Sequence, residues 1–336
     1  MDKKVSIITP CFNGEKFLDR YFKSILNQTY YNIELIFIND GSTDKTEFIF
    51  RKYEKMLNER GIDTIYIFQE NSGQAVALNK GLKKFTGDYI IWPDSDDFLT
   101  NDSILKKVEF LERNKDYGMV RTNVNIVNED NINKIIGTVA DNNKNKYKEK
   151  LFLDYILEDK VWFMPGSFMI RSEAFLDVIP NREIYESKGG QNWQILLPIM
   201  YKYKCGYIDE CLYTYVIRKN SHSHKVERSN EIKKLFDRCE EHQDILINTI
   251  RNIKMPNEEK DMLIDMIKEK YLRKKYQISV IHRQKEVAKQ LYYEIKELNK
   301  TKLIDKIFII RNYSSIFNIV YIIFIKSIRR IRRCFI

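Results

Sequence analysis

The first hundred residues alternate short apolar runs with amphipathic segments, and few folds accept that pattern. Val5–Thr9, Glu34–Asn39, Thr64–Gln69 and Tyr89–Trp92 are runs of four to six residues rich in Ile, Phe and Tyr, as buried strands are. Between them Glu15–Gln28, Asp44–Glu59 and Gly73–Phe85 read as helices, the second opening on a Thr43/Asp44 cap ahead of Glu47. Strands joined by crossover helices predict an α/β fold with a Rossmann-like, doubly wound, mostly parallel sheet.

Beyond residue 101 the spacing predicts a helix to Asn114, a strand over Met119–Asn128 and an exposed loop over Asp141–Lys150. A strand over Ser167–Ile170, a helix over Trp193–Tyr203 and a strand over Cys211–Ile217 follow, and the chain then reads as helical from Glu227 to Asn299. The expected organisation is a domain over 1–225, with a nucleotide half to about 100 and an acceptor half after it. A helical extension over 226–300 and a basic apolar tail over 301–336 complete it. No internal repeat is present.

Charge narrows the partners. Of the formal +10, the last 36 residues carry +7, from eight Lys and Arg against Asp305 alone. Nucleic-acid binders spread their cations over a groove-sized face, so nucleic acid is excluded as a partner. Ile316–Ile325 is an apolar run of ten residues directly before the Lys/Arg cluster, against about 20 needed for a bilayer span. The expectation is a helix lying on an anionic membrane surface; docking on the protein's own core and a short span stay open as alternatives. The five cysteines contain no Cys-x-x-Cys pair, which argues against disulfides and thiolate metal sites. With no secretory signal at the start, the expected location is the cytoplasm, at the inner face of the cell membrane.

In a parallel sheet, ligands gather at the carboxyl ends of the strands. There stand Thr9-Pro10-Cys11-Phe12-Asn13-Gly14, Asn39-Asp40-Gly41-Ser42-Thr43-Asp44, Asn71-Ser72-Gly73 and Pro93-Asp94-Ser95-Asp96-Asp97. Each alone reads as a turn or a cap. The last is more demanding, because three carboxylates directly after a buried strand repel one another unless a cation holds them. Asp94 and Asp96 point the same way on extended chain, and oxygen ligands of this kind suit Mg²⁺ or Mn²⁺.

In this order and spacing the four segments resemble the family 2 glycosyltransferases, which carry the GT-A nucleotide-diphospho-sugar-binding fold. The resemblance covers about residues 3 to 220. It rests on Thr9-Pro10 with Asn13, the Asn39 to Asp44 string, Asn71-x-Gly73 through Asn79-x-Gly81, and Gly87-Asp-Tyr-Ile ahead of Asp94-Ser95-Asp96-Asp97. It implies that Asp40 binds the uracil of a UDP-sugar and that the Thr9-Pro10 turn lies against the nucleotide. It implies further that Asp94 approaches the ribose and metal, and that Asp96 ligates the metal between the phosphates. Asn13, Asn71, Gly73, Asn79 and Ser95 join the implied substrate-binding set.

The sequence also departs from the family pattern, with Phe12 where a Tyr is common, Leu78 where an Arg often stands, and Trp92-Pro93 ahead of the carboxylates. Gly189-Gly190-Gln191-Asn192-Trp193 resembles the acceptor-side Glu-Asp-Trp segment with both carboxylates replaced by amides. Asn192 lacks the proton affinity of a general base, which leaves Glu186 and Asp97 as candidates and an acceptor-orienting role for Asn192. Downstream, Arg218 or Lys219 is a candidate for the diphosphate, and His224 or His222 for the metal shell. Trp193 is a candidate acceptor platform or a core residue.

The reading that follows is an inverting transfer from a UDP-sugar to a glycan or lipid-linked acceptor of the bacterial envelope, with a homo-oligomer left open. The amide pair keeps a catalytically silent sugar-nucleotide-binding scaffold as the alternative. A dinucleotide-dependent oxidoreductase fails because no Gly-x-Gly-x-x-Gly follows the first strand.

Overall fold

A computed structural model describes residues 3–187, 189–218, 231–298, 301, 303, 305 and 306. Those within Met1–Ser221 and Asn248–Met255 form one compact unit, and those within His222–Ile247 and Pro256–Ile336 a second.

The first unit is built on a nine-stranded sheet. Its strands are β1 (Val5–Cys11), β2 (Ile33–Asp40), β3 (Asp63–Gln69), β4 (Tyr89–Ile91), β5 (Phe98–Leu99), β6 (Tyr117–Asn128), β7 (Asn131–Thr138), β8 (Phe168–Arg171) and β9 (Lys204–Ile217). They run in the order β3-β2-β1-β4-β8-β6-β9-β5, with β7 paired to β6. The half made of β1 to β4 is parallel throughout; antiparallel β8 then joins β4 to β6, and β6 pairs with β9 in parallel. The sheet is thus mixed but mostly parallel, as the alternation predicts.

Helices α1 (Leu18–Leu26), α2 (Thr46–Glu59) and α3 (Gln74–Leu82) are the crossovers. They start one to three residues later than the sequence suggests, because the polar residues ahead of each are spent on loops. Asp44 still serves the start of α2, accepting the Thr46 amide at 2.9 Å. Every residue of β2 is buried, as expected of a strand with helices on both faces. Phe22 of α1 and Phe50 of α2 pack on Phe37 of the sheet, Phe50 also on Tyr66, and Tyr53 of α2 stacks on Phe22. At the opposite end of β2 the buried Glu34 accepts the Thr86 amide at 2.6 Å and the Gly87 amide at 3.2 Å. A carboxylate so buried needs such donors, and it fixes the turn into β4.

Helices α4 (Ser103–Arg113), α5 (Phe152–Leu157), α6 (Ser172–Val178) and α7 (Gln191–Lys202) complete this unit. Strand β7 and helices α5 and α6 lie outside the sequence expectations: the helices are six and seven residues long, too short for periodicity to reveal. The second unit contains most of α8 (Ile232–Asn252), with α9 (Asn257–Ile281) and α10 (Lys285–Glu297). Tyr276, Val280, Ala288, Leu291 and Ile295 form a hydrophobic cluster within it. Among the described residues no helix is long and apolar enough to cross a membrane. The apolar run 316–325 and its basic cluster lie outside the described residues.

Candidate functional site

Parallel register sets the site. Cys11 pairs with Asn39, Asp40 with Gln69 and Ile7 with Ile91, so the loops after β1, β2, β3 and β4 leave the sheet at one edge. Side chains stitch the first three together. The Asn13 amide donates to Ser42 Oγ at 2.9 Å and Asn13 Oδ1 accepts the Thr43 amide at 2.9 Å; Asn71 Nδ2 reaches the Asp40 carbonyl at 3.1 Å. Gly41, at φ +73°, passes so close to the next loop that a Cβ there would lie 2.5 Å from the Asn71 nitrogen. Only glycine fits both constraints.

Asp40 is the centre of this stitching. Its Oδ1 accepts from Gln69 Nε2 at 2.6 Å and from the Ser72 amide at 2.9 Å, while Oδ2 accepts the Gly73 amide at 3.0 Å. A carboxylate offers about four lone-pair sites, so one remains beyond these three donors. Thr9 is fully buried and its hydroxyl pairs with Tyr21, which leaves the neighbouring Pro10, partly exposed, as the surface of that turn.

At the end of β4, one carboxylate oxygen from each of Asp94, Asp96 and Asp97 lies within 4.8 Å of the others. Burial and the Asp96 charge push the Asp94 carboxyl up to about 7, and the same two causes with Asp94 added raise Asp97 well above the usual carboxylate range. Three carboxylate oxygens gathered this closely, buried and repelling one another, fit a hard divalent cation. Gln74 Nε2 donates to Asp94 Oδ1 at 3.0 Å, Arg218 pairs with Asp96 and Arg20 donates to the Asp96 carbonyl. Ser95 is buried between them.

Asp97 is 1% exposed, and both its oxygens are engaged: Oδ2 with the Tyr213 hydroxyl at 2.9 Å and Oδ1 with the Val216 amide at 2.8 Å. It therefore fastens β9 to the acidic loop and is poorly placed to reach an acceptor hydroxyl.

The acceptor-side candidates separate. Asn192 Oδ1 accepts from Trp92 Nε1 at 2.9 Å and its Nδ2 donates to the Phe163 carbonyl at 2.8 Å, so this amide holds the start of α7 against the residue preceding Pro93. Trp193 corrects one expectation: it is 5% exposed and its Nε1 donates to the Tyr155 carbonyl at 3.2 Å. Packed edge-on to Phe163, it is core and presents no platform. Asn79 corrects another, since its buried amide is spent on Ile184, donating to the carbonyl at 2.9 Å and accepting from the amide at 2.8 Å. Glu186 is exposed and lines a cavity of about 670 Å³ with Tyr185, Gln194 and Asn248. Lys219, His222 and His224 lie outside the described residues.

Three residues at this edge escape sequence reasoning: Arg20, Gln74 and Tyr213. Arg20 and Gln74 read as ordinary helix-surface residues, and Tyr213 stands 116 positions from the aspartate it holds. Gln74 alone had a local signal, its place directly after Gly73.

Comparison with known proteins identifies the fold and the family. The glycosyltransferase TuaG of Bacillus subtilis, named for teichuronic acid biosynthesis, is 41% identical over 107 residues, 32% of this chain and 41% of that protein. The chain spans less than half the length of the curated relatives of this kind that it matches. Among solved structures, Staphylococcus aureus TarS 1–349 with UDP-GlcNAc superposes with a TM-score of 0.59 at 17% identity, covering 92% of this chain and 89% of that one. The mannosyltransferase PcManGT of Pyrobaculum calidifontis, in complex with GDP-Man and Mn²⁺, gives 0.56 at 17% identity, covering 91% and 78%. At these identities the superpositions speak to the fold alone. A model of the family described as glycosyl transferase family 2 matches residues 6–202, more than half of the 336, and the chain belongs to that family.

Proposed function

We propose that this glycosyltransferase moves one sugar, with inversion, from a UDP-sugar to a glycan or lipid-linked acceptor of the bacterial cell envelope, using a divalent metal. The observation that carries the reading is the trio Asp94, Asp96 and Asp97 at the carboxyl edge of β4, beside the loops that Asp40 binds together. TuaG, a relative named for teichuronic acid biosynthesis, supports the envelope, and TarS, crystallised with UDP-GlcNAc, supports a UDP-sugar donor.

In this reading Asp40 accepts the uracil imide N–H on its remaining lone pair, and the Ser72 and Gly73 amides hold it in place for that. Asp94 and Asp96 are the metal ligands, and Mg²⁺ or Mn²⁺ when bound supplies neutralisation of the charge that develops on departing UDP. Arg218 serves the diphosphate. Glu186 takes the proton from the acceptor hydroxyl as that oxygen attacks the anomeric carbon; it is an exposed carboxylate of the acceptor side that lines a cavity, whereas Asp97 and Asn192 are spent on structure.

The test is Mn²⁺-dependent release of UDP from a panel of UDP-sugars with envelope-derived acceptors. Asp96→Asn is expected to lower turnover by roughly 10²-fold or more, the scale of losing one preorganised electrostatic partner, with the fold unchanged by circular dichroism. Full activity of that variant would remove the metal from the mechanism. For the membrane part, deletion after Lys302 is expected to release the protein from vesicles containing phosphatidylglycerol, and unchanged co-sedimentation would refute it.

A further inference from the structure

Arg218 follows the last residue of β9, and its guanidinium pairs with the Asp96 carboxylate while lying 5.0 Å from the centre of the Phe17 ring. Its Nε is buried and, among the described residues, has no hydrogen-bond partner. This position is therefore held chiefly by Asp96 and by the ring. Arg20, also near the three carboxylates, donates among the described residues to the main-chain carbonyl of Asp96, so it neutralises charge without occupying a ligand oxygen.

A carboxylate covered by a guanidinium is not free to ligate a metal ion, because the ion must first displace the guanidinium. A diphosphate is the better partner for an arginine: it carries more charge and presents paired oxygens that match the fork of the side chain. We propose that Arg218 acts as an internal counter-ion that closes Asp96 in the empty enzyme, and that a nucleoside diphosphate draws it off. Metal and nucleotide then bind with positive coupling, and by linkage each tightens the other equally. Free metal binds weakly and the metal–nucleotide pair binds well. Arg218 is thus a positioning residue that sets the order of loading. The inference rests on the metal reading given above.

The experiment measures Mn²⁺ affinity of the full chain by the electron paramagnetic resonance signal of free Mn²⁺, with and without UDP. Arg218→Gln is expected to bind Mn²⁺ alone roughly 10-fold more tightly than the wild type, and UDP is expected to tighten Mn²⁺ binding far less in the variant. Arg20→Gln removes the same charge from the same neighbourhood and is expected to have the smaller effect. Unchanged or weaker binding of Mn²⁺ alone by Arg218→Gln would overturn the proposal, as would equal tightening by Arg20→Gln. Absence of Mn²⁺ binding even with UDP would overturn the metal reading itself, and this proposal with it.

Discussion

Lys107 offers a test of how the acidic loop is supported from behind. It is completely buried on α4, with its ammonium donating to Ser103 Oγ at 3.0 Å and to the Gly166 carbonyl at 2.7 Å. Gly166 in turn lies against the Tyr213 ring, so closely that a Cβ would sit 2.1 Å from it, and the Tyr213 hydroxyl holds Asp97. Burial, with no carboxylate to offset it, lowers the Lys107 ammonium to about 7. Between pH 7 and the ordinary lysine value the native state binds fewer protons than the unfolded chain, so stability must rise with pH. Integrating that difference from pH 7 to 9 gives about 2 kcal/mol. The cost is present in full below pH 7 and fades toward the unfolded value.

The perturbation is Lys107→Met, an unbranched side chain one atom shorter, which removes the titration. All three tryptophans are buried in the unit that holds the sheet, so urea unfolding followed by their fluorescence reports that unit. The wild type is expected to gain about 2 kcal/mol more than Lys107→Met between pH 7 and 9. Cysteines raised by burial, Cys11 and Cys205 among them, titrate alike in both proteins and cancel from the comparison. Equal pH dependence in the two would refute a neutral buried lysine.

Two further outcomes are expected. Glu186→Gln should reduce kcat by roughly 10²- to 10⁴-fold, the usual worth of a general base, while UDP binding measured by calorimetry stays unchanged; wild-type kcat would return Glu186 to the role of a solvated loop charge. Gly166→Ala should destabilise the fold by about 1–3 kcal/mol through overpacking against a ring that Asp97 keeps from moving, read as a lower urea midpoint, and an unshifted midpoint would show that Tyr213 yields.

The alternation of the first hundred residues determined the parallel half of the sheet, its crossover helices and the edge where polar loops collect, because strand and helix periodicity are local properties. The trio at positions 94, 96 and 97 was legible for the same reason: repulsion between near neighbours can be argued from spacing alone. What three-dimensional packing decided is which polar groups are already spent. Asn79, Asn192 and Asp97 stand in the right strings, yet their hydrogen bonds go to Ile184, to Trp92 and Phe163, and to Tyr213 and Val216, all far along the chain. Trp193 went to the core on the same terms. A side chain's free valence depends on partners that only folding brings within reach, so the sequence identified the chemistry available at this edge, and the tertiary structure chose the groups left to perform it.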